Sequence, residues 1–200
     1  IGAWMQVLRS EGMSRVVVCG GGAVFFDAVR ERFDARGIEV VPWRVEEEGE
    51  GLSQVMRGSA GVIVEVPWGA LLESGEGSKV LGEGVAFVRA VMDAARAGGV
   101  VKVAWLFDAS NMGSAQDEEG YCEPGAGDLR AQLGWVMEGE LSRYMGGEGA
   151  LPVVGLCEEG LDERDRARGA RLMLERGKPG RRYRLSLGEK SERSSGELGW

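Results

Sequence analysis

A short apolar run followed at once by three glycines, near the start of the chain, constrains the fold more than any other feature. Residues 16–19 have the length and β-branched composition of a buried strand, and the glycines stand directly behind them. Apolar residues then recur at helical spacing as far as Phe33, and Gly37 marks the end of that helix. The segment predicts a strand, a glycine turn and an amphipathic helix.

The rest of the chain alternates between short apolar runs and helical patterns. Such alternation indicates a parallel sheet with helices on both faces. We therefore predict an α/β fold with a Rossmann-like, doubly wound and mostly parallel sheet. The further predicted strands are residues 38–43, 61–66, 100–107 and 151–156, and the further predicted helices are residues 52–58, 80–97 and 129–145.

The length and composition of the chain predict one domain. Two hundred residues, of which 44% are hydrophobic, bury a single core. We expect an N-terminal extension over residues 1–15, the Rossmann-like domain over residues 16–187 and a flexible tail, rich in serine, glutamate and glycine, over residues 188–200. No apolar run approaches the about 20 residues that span a bilayer, so no direct membrane span is expected.

Composition also excludes several classes of function. The formal net charge of -8 disfavours a nucleic-acid partner. The basic segment 164–184 is interpreted as a solvated helix face plus a linker, with an interaction surface as the alternative. The chain has no histidine, which removes every mechanism based on imidazole, and no metal site is predicted. The three cysteines, Cys19, Cys122 and Cys157, are interpreted as small hydrophobic residues in a reducing compartment.

The glycine turn has the position of a dinucleotide-binding turn but not its full pattern. In that pattern one glycine makes the tight turn, a second admits the pyrophosphate and a third allows close helix packing. These places hold Gly20, Ala23 and Phe26, so only the first glycine is intact. Arg44, after the second strand, stands where an arginine accommodates the extra phosphate of NADP, or else pairs with the acidic run that follows it. The predicted cofactor-binding residues for NADP(H) are Gly20, Gly21, Gly22, Ala23, Val24, Arg44 and Val66.

Several segments resemble the extended and atypical short-chain dehydrogenase/reductase group. These are GVIVEV at 61–66, AARAGGVVKVAWLFDAS at 94–110 and LPVVGL at 151–156. Within that group the chain resembles the NADPH-binding accessory subunits of mitochondrial respiratory complex I, through VVPWRVEE at 40–47, DLRAQ at 128–132 and GLDERDRARGA at 160–170. The segment between Arg44 and Gly61 has room for a loop and a short helix but not for that group's additional edge strand.

The resemblance implies that the catalytic residues are missing. The group uses a tyrosine as acid or base, a lysine four residues later and a serine or threonine. Here Asp128 stands for the tyrosine, Gln132 stands for the lysine, and Phe107 or Asp108 stands for the serine. We predict no catalytic residue, and we expect that hydride transfer has been lost.

Four other side chains are candidates to replace the missing tyrosine and lysine. Neither Tyr121 nor Tyr144 is followed four residues later by a lysine, so both are interpreted as structural. Asp108 and Cys157 end predicted strands, where ligands bind in open α/β sheets. Because neither has a recognisable catalytic partner, packing or capping is the favoured interpretation of both.

The resemblance implies a non-catalytic accessory subunit of complex I on the matrix side of the mitochondrial inner membrane. NADPH would be structural and would not be turned over, and the partners would be other subunits of that membrane-associated complex. Exposed aromatic residues such as Trp4, Trp135 and Trp200 would serve contacts, although burial within the domain explains Trp135 equally well. The alternatives are a soluble NADP-dependent reductase or epimerase with a rearranged active site, or a scaffold subunit of another mitochondrial assembly.

Overall fold

The structure is a computed structural model that describes residues 15–43, 50–112, 116–117, 120–121, 128–146, 149 and 151–186. Residues 1–14 of the predicted extension, the predicted tail, Arg44, Cys122, Trp4 and Trp200 lie outside these residues. Arg15, which was assigned to the extension, begins the first strand.

The main sheet is built from β1 (Arg15–Cys19), β2 (Glu39–Trp43), β3 (Gly61–Glu65), β4 (Lys102–Asp108), β7 (Leu151–Cys157) and β8 (Arg182–Leu185), while β5 (Gln116–Asp117) and β6 (Gly120–Tyr121) form a separate antiparallel pair. The six strands of the main sheet are all parallel and lie in the order β2-β1-β3-β4-β7-β8. This arrangement confirms the predicted Rossmann-like α/β fold. Among the residues that the structure describes, β2 is the strand at one edge of this sheet.

Helices cover both faces of the sheet. The helices are α1 (Ala23–Asp34), α2 (Glu50–Met56), α3 (Trp68–Glu73), α4 (Ser78–Ala97), α5 (Leu129–Ser142) and α6 (Glu163–Arg176), with a 3-10 turn at Ala109–Met112. One hydrophobic cluster joins α1 and α6 to the sheet through Phe25, Phe33, Ala170 and Met173, and a second cluster on the opposite face joins the other four helices. Both faces of the central strands are therefore buried, which explains why β3 is apolar along nearly its whole length.

The basic segment 164–184 differs from its interpretation as a solvated helix face plus a linker. Its first part is the helix α6, and one side of that helix is buried against the sheet through Ala167, Ala170 and Met173. Its last part is not a linker but the strand β8, in which Tyr183 and Leu185 are buried and the arginines between them are exposed. The segment therefore completes the sheet.

Within the described part of the chain, no helix is both long enough and apolar enough to cross a bilayer.

Candidate functional site

The glycine turn joins β1 to α1 at the carboxyl edge of the sheet. Gly20 and Gly21 both have a φ of 76°, a conformation that L side chains rarely adopt. A Cβ atom at Gly20 would also lie only 2.2 Å from the backbone carbonyl oxygen of Glu65. The close approach of β1 and β3 at this point therefore requires glycine, which explains why the first position of the pattern is intact.

The outer side of the turn is open. Gly21, Gly22, Ala23 and Val24 are exposed, and a Cβ atom at Gly22 would meet nothing within 4 Å. No side chain caps the N-terminus of α1, and its first turn holds no acidic residue. The first N–H groups of a helix have no partner within the helix and carry the positive end of its dipole. These residues therefore fit the diphosphate group of a dinucleotide.

The two phenylalanines that follow the turn are both accommodated on its inner side. Phe25 is fully buried, and its Cδ1 would be 2.6 Å from a Cβ atom at Gly21. Phe26, in the place of the third glycine, is half-buried and packs against the same hydrophobic cluster between α1, α6 and the sheet. The bulky side chain of Phe26 is therefore accommodated by packing against this cluster.

A largely buried ionic cluster lies on the inner side of the turn. Glu65, at the end of β3, forms an ion pair of 2.6 Å between its Oε1 and Nη2 of Arg166 from α6. Arg166 also donates a hydrogen bond of 2.8 Å from Nη1 to Oδ1 of Asp108, at the end of β4. Asp108 Oδ2 accepts a further bond from the amide of Asn111. One guanidinium therefore serves two carboxylates that end neighbouring strands.

Two groups in and beside this cluster have raised pKa values. Burial raises the pKa of Glu65 to about 7, an effect that Glu163 and Asp108 increase and Arg166 opposes. Burial likewise raises the pKa of Cys157, the register partner of Asp108, to about 12. A thiol with that pKa is not a nucleophile at neutral pH. The arrangement thus supplies one carboxyl group that titrates near neutrality.

At the positions that resemble the tyrosine and lysine pair, the structure shows a helix cap. Asp128 is the N-cap residue of α5, and its Oδ1 accepts a hydrogen bond of 2.9 Å from the backbone N–H of Ala131. Gln132 lies one turn into the same helix, and its backbone N–H bonds to the Asp128 carbonyl. An aspartate in this role stabilises the start of a helix.

Tyr144 lies far from that helix start. It follows the end of α5, a helix of 14 residues and hence about 20 Å long. Its hydroxyl donates to Asp93, and burial together with Asp93 raises the pKa of the phenol. Arg96 covers its ring at 4.5 Å. These contacts make Tyr144 a structural residue, while the side chain of Tyr121 lies outside the described residues.

The predicted cofactor residues are brought together only in part. Gly20, Gly21, Gly22, Ala23 and Val24 form one continuous turn and helix start, as described above. Val66 is buried in the hydrophobic cluster on the face of the sheet opposite Glu65. Among the residues that the structure describes, no group of three or more acidic or cysteine side chains is arranged to hold a metal ion.

Sequence reasoning missed Glu65 and Arg166 as members of this site. The signal for Glu65 was present, because a single charge inside the apolar run at 61–66 must find a partner when the strand is buried. Arg166 carried no such signal, since it is one of several arginines in a charged segment.

No protein-family model matches the chain, and no curated protein matches it. Solved structures do match. A UDP-N-acetylglucosamine 4-epimerase from Bacillus cereus has a TM-score of 0.65 at 12% identity, covering 88% of this chain and 76% of its own. A nucleoside-diphosphate-sugar epimerase from Pseudomonas aeruginosa has a TM-score of 0.66 at 14% identity, covering 85% and 71%.

A third match is a dTDP-glucose 4,6-dehydratase from Streptomyces venezuelae, solved with NAD and TYD bound. It has a TM-score of 0.66 at 16% identity, covering 86% of this chain and 75% of its own. At these identities the likeness shows a shared fold and no more.

Proposed function

We propose that this chain is a non-catalytic accessory subunit of mitochondrial respiratory complex I, on the matrix side of the inner membrane, built on a short-chain dehydrogenase-like fold. The observation that carries the proposal is that Asp128 and Gln132 stand where the group has its catalytic tyrosine and lysine. Asp128 is exposed and engaged as a helix cap, and it lacks the phenol that this chemistry uses to give or take a proton. Gln132 has no charge with which to lower the pKa of a neighbouring hydroxyl.

The turn supports a structural NADPH. The N–H groups of residues 21–24 would hold its diphosphate, and Gly20 would keep the turn close to β3. Bound NADPH can supply a hydride, but proton transfer must come from the protein. Since Asp128 and Gln132 do not provide it, we expect this chain to bind and orient the nucleotide without turning it over.

An exposed aromatic surface supports docking into a larger assembly. Trp135 on α5 is 37% exposed, and it lines a groove of about 570 Å³ together with Val85 and Arg89 of α4. Tryptophan and arginine are enriched in protein interfaces. This groove is the surface on which we propose that a neighbouring subunit sits.

The ionic cluster favours a second candidate, a soluble reductase or epimerase with a rearranged active site. Groups with strongly shifted pKa values collect at functional sites, and Glu65 is such a group at the carboxyl edge of the sheet. The solved structures of similar fold include epimerases. Against this candidate, both Glu65 and Asp108 are already paired with Arg166.

Native electrophoresis of solubilised mitochondrial membranes tests the proposal. We expect the tagged full chain to migrate with NADH dehydrogenase activity. Trp135→Ser should reduce the amount in that band severalfold, because an aromatic anchor is lost. Val101→Ser, which alters another exposed apolar residue, serves as the control and should leave the band unchanged. Migration as a free chain, or with another assembly, would contradict membership of complex I.

A further inference from the structure

Glu65 lies between the glycine turn and the α6 side of the sheet. The residues around it alternate along β3, so that Ile63 belongs to the cluster under α1 and α6 while Val64 and Val66 belong to the opposite cluster. A Cβ atom at Gly21 would lie 2.6 Å from Oε2 of Glu65. The carboxyl group therefore stands immediately behind the backbone that faces a bound diphosphate.

The charges around Glu65 come from three neighbouring elements. Arg166 and Glu163 lie on α6, Asp108 ends β4, and the thiol of Cys157 ends β7. The first turn of α1 contributes no acidic residue. Because Arg166 is shared with Asp108 and Glu163 also lies nearby, ionisation of Glu65 adds a third carboxylate beside one guanidinium. The negative charge behind the turn then increases by one unit.

We propose that Glu65 controls whether the glycine turn accepts a diphosphate-bearing ligand: the carboxylate form repels the ligand and the protonated form admits it. The proposal rests on the proposed nucleotide site and adds its regulation. Two like charges separated only by one strand of backbone, one of them on a buried side chain, are screened less than two charges on the surface. The ligand can bind to the outer N–H groups at low cost only when the inner carboxyl group is neutral.

Thermodynamic linkage between proton binding by Glu65 and binding of the diphosphate determines how the affinity changes with pH. The pKa of Glu65 is already raised to about 7, and a bound diphosphate raises it further because the anion disfavours a second negative charge. Binding therefore takes up a proton from solution when the pH is near or above 7. Affinity rises as the pH falls through that value and becomes constant once Glu65 is protonated in both states.

Titration of the purified full chain with ADP-ribose at pH 6 and pH 9 tests this inference. The diphosphate diester of ADP-ribose has no proton to lose in that range, so a change in affinity reports on the protein. A further rise of one pH unit in the pKa of Glu65 makes binding about tenfold weaker at pH 9 than at pH 6. In Glu65→Gln the pH dependence should disappear, and binding at pH 9 should match that of the wild type at pH 6.

A second buried glutamate provides the matched control. Glu138 on α5 is also buried, has a raised pKa caused by burial and is paired with an arginine, Arg182, but it lies in the groove of Trp135. Glu138→Gln should retain the tenfold dependence of the wild type. If Glu138→Gln loses it as Glu65→Gln does, a general effect of buried acids explains the result and the proposal is overturned.

Calorimetry on the wild type alone measures proton uptake on binding independently of how well a variant folds. Binding at pH 7.5 in two buffers of different ionisation heat should show net proton uptake. Binding without proton uptake would overturn the role of Glu65 while leaving a structural nucleotide in place. Absence of binding at both pH values, by the wild type and by Glu65→Gln, would overturn this inference, whereas membership of complex I is decided separately by native electrophoresis.

Discussion

Replacement of Arg166 by methionine is expected to lower the free energy of unfolding by about 3–5 kcal/mol at pH 8, because it leaves the buried Glu65 and the partly buried Asp108 without their counter-charge. The methionine fills much of the volume of the arginine stem, so the loss reports on charge more than on packing. Glu65 and Asp108 both depend on this one guanidinium. Urea unfolding followed by circular dichroism measures the effect.

The same variant should recover stability as the pH falls. Without Arg166 the pKa of Glu65 rises above its value of about 7, so the folded state holds a proton that the unfolded state releases above about pH 4.5. Lowering the pH then favours the folded state, and the loss at pH 5.5 should be at least about 1 kcal/mol smaller than at pH 8. A loss that is equal at both values would mean that packing, not charge, sets the effect.

The strand β8 offers a matched control for this substitution. Arg184 pairs with Glu158 at the surface, where the two side chains are 59% and 34% exposed. Exposed pairs contribute about 0–1 kcal/mol. Arg184→Met should therefore change the free energy of unfolding by less than about 1 kcal/mol, with little dependence on pH.

Replacement of Gly20 by alanine is expected to lower the free energy of unfolding by about 3 kcal/mol. The new Cβ atom would have to occupy a position 2.2 Å from the carbonyl oxygen of Glu65, in a backbone with a φ of 76°. That oxygen belongs to the central strand β3 and cannot move away as a flexible side chain would. For a chain of this size the melting temperature should fall by about 6–12 °C.

Gly22 provides the comparison within the same turn. Its φ is -82°, and nothing lies within 4 Å of where its Cβ atom would be. Gly22→Ser places a preferred N-cap residue at the start of α1, so it should leave the stability unchanged or raise it slightly. If the two substitutions have equal effects, the close contact between the turn and β3 is not what requires glycine at position 20.

The sequence was sufficient to predict the elements whose patterns are local. The apolar run of β1, the glycines after it and the helical spacing in α1 lie within 20 residues, so the chain there specifies its own structure. The long helix α4 was predicted for the same reason, since its buried positions Val88, Val91 and Ala95 repeat at helical spacing. The order of these elements then led to a parallel sheet.

Short or charged elements were not predicted from the sequence, because their local sequence patterns are weak. Helix α3 has only six residues, and no periodic pattern marks it. The strand β8 alternates arginine with Tyr183 and Leu185, a half-buried pattern hidden within a run of basic residues. Its place in the sheet is decided by pairing with β7, which is a tertiary contact.

The ionic cluster could be predicted from the sequence only in part. Glu65 and Arg166 are separated by about a hundred residues, and only the packing of α6 against the sheet brings them together. The sequence did single out Asp108 as a residue at the carboxyl edge of the sheet. It favoured a structural role for Asp108 but gave no indication that Arg166 is its partner. The surrounding arginines resemble Arg166 in sequence, and what distinguishes Arg166 is its two carboxylate partners, Glu65 and Asp108.

We propose that the chain keeps a nucleotide-binding turn but does not transfer a proton at Asp128 and Gln132. Incubation of the purified full chain with NADPH and a panel of ketones, aldehydes and nucleotide sugars, between pH 6 and pH 9, tests this proposal. We expect no consumption of NADPH or conversion of substrate above the rate without protein. Turnover near or above about 1 per second, abolished by Tyr121→Phe or Tyr144→Phe, would contradict it.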